Sequence, residues 1–227
     1  MTRSYSLGVA FRGWPATALE FYEGLEADNS KSYWNDNKAV YELDVKAPMV
    51  ALLAELTDEF GDTRLFRPNR DVRFSANKEP YKTAIAATVG AGYVQLSAEG
   101  LMAGAGMYHL APDQLERYRS AVASERTGPG LEGVIAAVGK AKIDVRGTDP
   151  LKTAPKGYPK DHPRIDLLRN KGLIASKMWP AAAWLGTAGA KTRVVDVWRG
   201  AAPLTSWLDG NVGPSTMDEG PGFHRRR

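Results

Sequence analysis

The sequence predicts an α+β fold: a single domain in which helices pack against a mostly antiparallel sheet. Three observations predict this class in the 227-residue chain. Apolar residues recur at helical spacing over residues 15–61, alternate or form short runs over residues 72–108, and return to helical spacing near the C-terminus. Connections between the predicted strands are too short for parallel crossovers. No internal repeat or long linker divides the chain, so we expect one domain over residues 1–227, with a disordered or loosely attached tail at about 212–227.

The first predicted elements are helices. Apolar residues at helical spacing follow Pro15 and predict a helix to Ala27. Residues 28–30 then offer side-chain oxygens that can cap a second helix. Pro48 ends or kinks that helix because proline lacks a backbone N–H, and the apolar stripe beyond it continues to Gly61.

After residue 68 the period changes to that of strands. Val72 and Phe74 alternate with Asp71, Arg73 and Ser75, which predicts a strand with the three polar side chains on one face. A turn is predicted at 76–80. Three apolar runs separated by glycine-rich turns then predict an antiparallel meander with strands at 83–89, 93–96 and 101–108.

The second half alternates between predicted helices and strands. Pro112 begins a helix, since proline is favoured in the first helical turn. The remaining expectations are a loop at 124–130, a helix at 131–138, a strand at 142–145, a short helix at 164–170, a strand at 174–178 and a helical tail interrupted by Pro203.

Composition narrows the function classes. The chain has no cysteine, which excludes disulfides, thiolate metal sites and cysteine nucleophiles. The N-terminal sequence lacks the apolar core of a signal peptide, and no apolar run is long enough for a membrane helix, so we expect a cytoplasmic protein with no membrane partner. Three scattered histidines indicate no metal site, and no motif identifies a cofactor.

The stretch RDVRFSANKEPYKT at residues 70–83 is the first candidate site. The net charge is +4, but residues 15–62 are rich in acids whereas 64–82 and 152–177 are rich in lysine and arginine. Guanidinium groups bind phosphate or carboxylate through paired hydrogen bonds. The candidate ligand-binding residues here are Arg70, Arg73, Ser75, Lys78 and Lys82. An equally weighted alternative is a structural network of ion pairs with nearby acids.

Two further segments offer candidates. If a helix begins near Ser30, then Asn37 and Lys38 share a stripe with Trp34 and Tyr41 and can line a pocket. The favoured alternative places the two aromatic residues in the core.

The loop KTAPKGYPKDHP is the third segment, and it adds Lys156 as a ligand-binding candidate. His162, Asp71 and Tyr81 are the candidates for proton transfer, since a catalytic acid or base must titrate and reach a substrate.

Several separated stretches share a resemblance with one family. The relevant segments are DNSKSYWNDNKAVYELDVKAP at 28–48, LFRPNRDVRFSANKEPYKT at 65–83, GAGMYHLAPDQLERYR at 104–119 and LKTAPKGYPKDHPRIDLLRNKGL at 151–173. In this order they resemble the signatures of domain-of-unknown-function family 2461, over nearly the whole chain. The resemblance implies no established activity.

Three functional interpretations stay open at the level of sequence. The first is a basic pocket for an anionic small molecule where the 70–82 segment meets the 152–162 loop, with or without catalysis. The second is nucleic-acid binding, suggested by the basic segments and the HRRR terminus. The third is a protein-interaction module whose acidic helices and basic sheet bind partners or each other. The sequence does not determine the oligomeric state.

Overall fold

The computed structural model describes residues 10–73 and 76–217 and confirms the α+β class. Within these residues six strands form one sheet in the order β1-β2-β3-β4-β6-β5, with antiparallel pairing of β1 with β2, β2 with β3 and β5 with β6. The strands are β1 (Thr63–Leu65), β2 (Ala84–Val89), β3 (Gly92–Ser97), β4 (Gly100–Met107), β5 (Asp144–Thr148) and β6 (Gly172–Pro180).

Helices precede, interrupt and follow these strands. They are α1 (Ala16–Ala27), α2 (Lys31–Asp36), α3 (Lys38–Val40), a π-helix (Tyr41–Lys46), α4 (Ala47–Phe60), α5 (Pro112–Ala123), α6 (Gly128–Lys140), α7 (Ile165–Leu168), a 3₁₀-helix (Ala183–Gly186), α8 (Gly189–Gly200) and α9 (Ala202–Asn211). Ser30 caps α2 by accepting a hydrogen bond from the Tyr33 backbone N–H at 3.1 Å. The helix does not end at Pro48: Lys46 and Ala47 keep helical dihedral angles, and the π-helix runs directly into α4, of which Pro48 is the second residue. A missing N–H is tolerated in the first turn of a helix, and a kink at Pro48 stays a prediction.

The strand predicted around Val72 is wrong for the described part of that segment. Asn69 forms an isolated bridge with Tyr81, and no strand follows over residues 70–73. The physical reason is local: the Asp71 carboxylate accepts hydrogen bonds from the Arg73 side chain at 2.8 and 2.6 Å and lies 3.4 Å from its backbone N–H. Such a side-chain turn competes with strand pairing. Phe74 and Ser75 lie outside the described residues.

Several helices and strands begin or end at residues other than those predicted, but the fold class is unchanged. Helix α6 begins within the predicted loop because Pro129 is accepted in the first turn of a helix. The predicted strand at 142–145 becomes β5, which is shifted towards the C-terminus. Strand β1, which has only three residues, was not predicted. The helical tail divides into α8 and α9 at Ala201, two residues before Pro203.

The chain divides into two compact units, each built from two stretches of sequence. The first contains the residues up to Gly104 together with Lys177–Arg199, and the second contains Ala105–Ser176 together with the chain from Gly200 on. A single-domain organisation therefore stays a prediction. None of the helices in the described ranges is long and apolar enough to cross a membrane.

The core of the first unit lies between the sheet and helix α4. Strands β2 and β3 bury one side-chain face, which consists of Ile85, Ala87, Val89, Val94 and Leu96. Helix α4 packs against β1 and β2 with its own buried stripe. Trp198 of α8 closes one end: its ring lies 5.0 Å from the Phe60 ring, and its indole N–H donates to the Tyr93 carbonyl at 3.1 Å.

A buried guanidinium organises the second unit. Arg164 is 6% exposed and donates from Nε to the carbonyl of Val122 at 2.7 Å, at the end of α5. It also donates to the Ala123 carbonyl and to the Glu125 carboxylate. These bonds satisfy carbonyls that the end of a helix leaves unpaired. Arg164 therefore ties the loop before α7 to the C-terminus of α5.

The start of the predicted tail is hydrogen-bonded to α5. Asp113 accepts bonds from the Thr216 N–H and the Ser215 hydroxyl, both at 2.8 Å. Arg117 donates to the carbonyls of Val212 and Pro214. These bonds, led by the one from the Thr216 backbone, hold the pKa of Asp113 well below its usual range. The tail from residue 218 on, including HRRR, lies outside the described residues.

We predict that Gly92→Ala destabilises the protein by about 1–3 kcal/mol, because overpacking a buried site forces its neighbours to move. A methyl group at Gly92 would lie 2.6 Å from the buried Trp198 ring. The control is Gly133→Ala in α6, where no atom lies within 4 Å, and we expect about 0.5–1 kcal/mol of stabilisation. Urea unfolding followed by tryptophan fluorescence measures both, and a shift of the same sign in the two variants would contradict the packing argument.

Candidate functional site

The 68–82 segment of the first unit forms a loop that is closed at its base. The Arg70 N–H donates to the Pro80 carbonyl, and the Lys82 N–H donates to the Pro68 carbonyl, both at 2.8 Å. The two backbone groups of Tyr81 point away from this pairing. The Asn29 side chain forms hydrogen bonds with both of these groups: its amide N–H donates to the Tyr81 carbonyl at 3.1 Å, and its oxygen accepts a bond from the Tyr81 N–H at 3.0 Å. One asparagine therefore replaces a missing strand partner.

The Tyr81 ring is held in an aromatic cluster. It stacks on Trp34 with a centroid distance of 4.3 Å and an interplanar angle of 7°. Trp34 in turn lies 4.7 Å from the Tyr41 ring, and all three side chains are buried. Burial, with a smaller contribution from Glu42, raises the pKa of Tyr41 to about 12. Trp34 and Tyr41 thus belong to the core, which was the favoured alternative in the sequence analysis.

Asn37 and Lys38 lie at the junction of α2 and α3. The Asn37 amide donates to the Tyr33 carbonyl at 2.9 Å, one helical turn back. Lys38 is exposed. Neither residue contacts the 68–82 segment through a hydrogen bond or ion pair among the described residues. A ligand-binding role for this pair stays a prediction.

The charges on the loop itself largely compensate one another. Arg73 binds Asp71 through two hydrogen bonds, and Arg70 Nη1 donates to Glu79 at 2.9 Å. The Arg73 side chain is the main reason that the pKa of Asp71 lies well below its usual range. A carboxylate held ionised in this way is a poor proton acceptor, which weighs against Asp71 as a general base. The ion-pair interpretation therefore accounts for two of the predicted arginines.

Lys78 and Ser75 are the two other ligand-binding candidates of this segment. The Lys78 ammonium donates to the Val72 carbonyl at 3.2 Å and is exposed. Ser75 lies outside the described residues, so its predicted role is unchanged.

Besides Lys78, whose ammonium donates to a backbone carbonyl, three basic side chains at or near the loop have no carboxylate partner among the described residues, and we call Arg64, Arg67 and Lys82 the cationic cluster. The Arg64 guanidinium carbon lies 5.6 Å from the centre of the Phe66 ring, and the Lys82 Nζ lies 5.5 Å from the same point. Within the described ranges, none of the three forms a salt bridge with a carboxylate. Arg67 is near enough to Asp71 to contribute to its lowered pKa, but the oxygens of Asp71 are bonded to Arg73.

The pKa of Lys82 is lowered both by burial and by this excess of positive charge. Partial burial is the main cause of its lowered pKa, and the nearby charges of Arg67, Arg64 and Arg70 lower it further. Burial and like charges both disfavour the protonated form of an amine. An ammonium in this position is destabilised until an anion approaches.

Strand pairing places Arg64 on the sheet face opposite the α4 helix, and the Lys82 ammonium lies beside the Phe66 ring on the same side. Arg64 pairs with Thr88, and Thr88 pairs with Tyr93 across β2 and β3, so their side chains share one face. The Phe66 N–H donates to the Ala86 carbonyl, continuing the same register. We call this surface the cluster face; it also carries Ala84, Gln95 and Ser97. The β2 residues on this face have small side chains, and one of them, Ala86, is buried.

The hydroxyl of Ser97 is an unusual feature of the cluster face. Ser97 is 6% exposed, and its Oγ atom has no hydrogen-bond partner among the described residues. A buried polar atom without a partner is rare in folded proteins. Ser97 pairs with Ala84, two residues after Lys82.

The third predicted segment belongs to the second unit. His162 accepts a hydrogen bond at Nδ1 from the Arg164 N–H at 3.0 Å, which gives it a local structural contact beside the buried guanidinium. Lys156 is exposed. A site that combines this segment with the 68–82 loop stays a prediction, since the two belong to different units.

Sequence reasoning missed Arg64 and Arg67 as ligand-binding candidates. The available signal was the basic stretch 64–82, in which these two arginines have no acid within two positions except Asp62. No group of three or more His, Asp or Glu side chains within the described ranges is arranged to hold a metal ion.

The fold and the cluster define an α+β protein with a basic patch on one face of an antiparallel sheet. The model of the family of conserved hypothetical proteins DUF2461 matches residues 17–207, and the chain belongs to this family. It is also similar to an uncharacterised protein from Methanothermobacter thermautotrophicus, at 12% identity and a TM-score of 0.37 over 71% of this chain and 97% of that one. No curated protein matches the chain.

We predict that Asn29→Ala lowers the free energy of unfolding by about 1–3 kcal/mol, because it leaves both backbone groups of Tyr81 without a partner. The matched control is Asn77→Ala, which removes an exposed amide that contacts Glu79 at 2.9 Å and should cost less than about 0.5 kcal/mol. Urea unfolding gives the two values, and amide hydrogen exchange at Tyr81 reports the local loss. Equal effects of the two substitutions would overturn the role assigned to Asn29.

Proposed function

We propose that the protein binds an anionic small molecule, bearing a phosphate or carboxylate group, at the cationic cluster. The single observation behind this proposal is the uncompensated charge of Arg64, Arg67 and Lys82, beside a loop whose two described arginines, Arg70 and Arg73, are paired with carboxylates. Three like charges held together cost free energy unless an opposite charge lies among them. A bound anion supplies that charge.

The chemistry of the cluster suits an oxyanion. Guanidinium groups donate two parallel hydrogen bonds to a phosphate or carboxylate, whereas lysine supplies a compact point charge. Phe66 supports one guanidinium and the ammonium on its ring, and such contacts contribute about 0.5–1 kcal/mol each at exposed sites. The positions of Arg64 and Lys82 are therefore restrained before a ligand arrives.

The surroundings favour a small ligand over a polymer. Nucleic-acid binding needs several phosphate contacts along a surface. The exposed arginines of the loop, which would extend such a surface, are engaged by Asp71 and Glu79.

We predict that inorganic phosphate or pyrophosphate binds the wild-type protein and that Arg64→Gln weakens this binding about tenfold or more. Loss of one charge-assisted hydrogen-bonding partner removes about 1.5–3 kcal/mol of interaction. Isothermal titration calorimetry at two salt concentrations measures the dissociation constants. The matched control is Arg12→Gln, an exposed arginine outside the cluster, which should leave the affinity unchanged.

The result can contradict the proposal in two ways. Equal affinities of wild type and Arg64→Gln, with both folded by circular dichroism, would exclude the cluster as the anion site. Tight binding of a short oligonucleotide, with an affinity that falls steeply as salt increases, would instead favour the nucleic-acid interpretation.

A further inference from the structure

Lys82 combines a fixed backbone with an amine that has no acidic partner. Its N–H donates to the Pro68 carbonyl at 2.8 Å, and the preceding residue, Tyr81, is held by Asn29 and Trp34. Its Nζ lies 5.5 Å from the centre of the Phe66 ring, and its side chain is partly buried. Within the described ranges no carboxylate forms a salt bridge with it. The amine is therefore both positioned and unpaired.

Two other lysines of the first unit have the acidic partner that Lys82 lacks. Lys46 pairs with Glu42 and Lys191 pairs with Glu55, whereas the Lys78 ammonium donates to a backbone carbonyl. Lys82 differs from the exposed Lys31 and Lys38 in being partly buried beside Phe66. Burial and the nearby arginines lower the pKa of Lys82 and so favour its neutral amine.

We propose that the Lys82 amine is a nucleophile that forms an imine with the aldehyde or ketone group of an anionic compound, whose acid group is held by Arg64 and Arg67. This inference rests on the proposed anion site and names the substrate class for it: small carbonyl compounds that carry a phosphate or carboxylate. Amines beside other cations, in partly desolvated sites, are the ones that proteins use for this chemistry.

The reaction balances without an oxidant or reductant. The lone pair of neutral Nζ attacks the carbonyl carbon, the C–N bond forms, and the C=O electron pair moves to oxygen. Proton transfer from nitrogen to oxygen gives a carbinolamine. The C–O bond then breaks, the oxygen leaves as water with a second proton, and the nitrogen lone pair completes the C=N bond. One amine and one carbonyl thus give one imine and one water.

The acid group of the ligand has two opposing effects on this reaction. Bound to Arg64 and Arg67, it brings the carbonyl close to the amine and raises the effective concentration of the reactants. Its negative charge also favours protonation of the free amine, which slows attack. After condensation the same charge stabilises the protonated, cationic imine. Binding through the arginines, rather than through Lys82, keeps the lone pair available.

The test is reductive trapping with glycolaldehyde phosphate, an aldehyde that carries a phosphate. The full-length protein is incubated with this compound and borohydride at pH 7, and peptide mass spectrometry measures the modified fraction of each lysine. We expect Lys82 to be modified at least about tenfold faster than the exposed Lys31, since the arginines hold the phosphate group and raise the effective concentration of the aldehyde at Lys82. Uncharged glycolaldehyde should lose this selectivity, and inorganic phosphate should compete.

Variants separate the roles of the amine and the arginines. Lys82→Arg keeps the charge and removes the amine, so we expect loss of the fast adduct while inorganic phosphate still binds. Arg64→Gln keeps the amine and should slow trapping by the phosphate-bearing aldehyde about tenfold, with a smaller effect on uncharged glycolaldehyde. Lys31→Arg is the control and should leave the Lys82 adduct unchanged.

The outcomes distinguish this inference from the proposed function. If phosphate binds at the cluster but Lys82 is trapped no faster than Lys31, the nucleophile is excluded and the anion site stands. If phosphate does not bind and Lys82 reacts equally fast with charged and uncharged aldehydes, the anion site is excluded, and with it the proposed substrate class. A pH profile in which Lys82 and Lys31 titrate together would also overturn the role of Lys82.

Discussion

The basic surface of the first unit depends on how Asn29 and Trp34 hold Tyr81. The Asn29 amide pairs with both backbone groups of Tyr81, and the Trp34 ring stacks on its side chain. Successive side chains of an extended segment point to opposite sides. Because Tyr81 is fixed in the aromatic core, Lys82 must lie on the other side, beside Phe66. An asparagine between α1 and α2, 52 positions before Tyr81, thus fixes the backbone from which the Lys82 side chain extends.

Ion pairing then decides which basic residues are available. Asp71 and Glu79 neutralise Arg73 and Arg70 at short range, and exposed pairs of this kind add little stability. Their main effect is selective, because they neutralise the two described arginines of the loop and leave Arg64, Arg67 and Lys82 without a carboxylate partner. Within the motif at residues 70–83 only Lys82 belongs to the cluster, whereas Arg64 and Arg67 precede the motif.

The sequence allowed prediction where apolar periodicity determines the structure and failed where particular side-chain hydrogen bonds determine it. Helical spacing identified α1, and apolar runs between glycine turns identified β2 and β3. The alternation around Val72 predicted a strand wrongly. Hydrogen bonds between Asp71 and Arg73 determine the backbone conformation there, and apolar periodicity gives no information about such bonds. The sequence placed Asn29 among three residues that could cap the second helix. Its hydrogen-bond partner, Tyr81, is identified only by the tertiary structure. The family, in contrast, was recognised from the motifs themselves.

Anion binding and amine reactivity at the cluster oppose each other, and this opposition constrains the ligand. An anion that contacts Lys82 directly favours the ammonium ion and so protects the amine from reaction. An anion that contacts only Arg64 and Arg67 leaves the Lys82 amine close to the positively charged Arg64 and to the Phe66 ring. A substrate of the proposed reaction must therefore place its acid group at the arginines and its carbonyl at Lys82, which are separate points of the cluster.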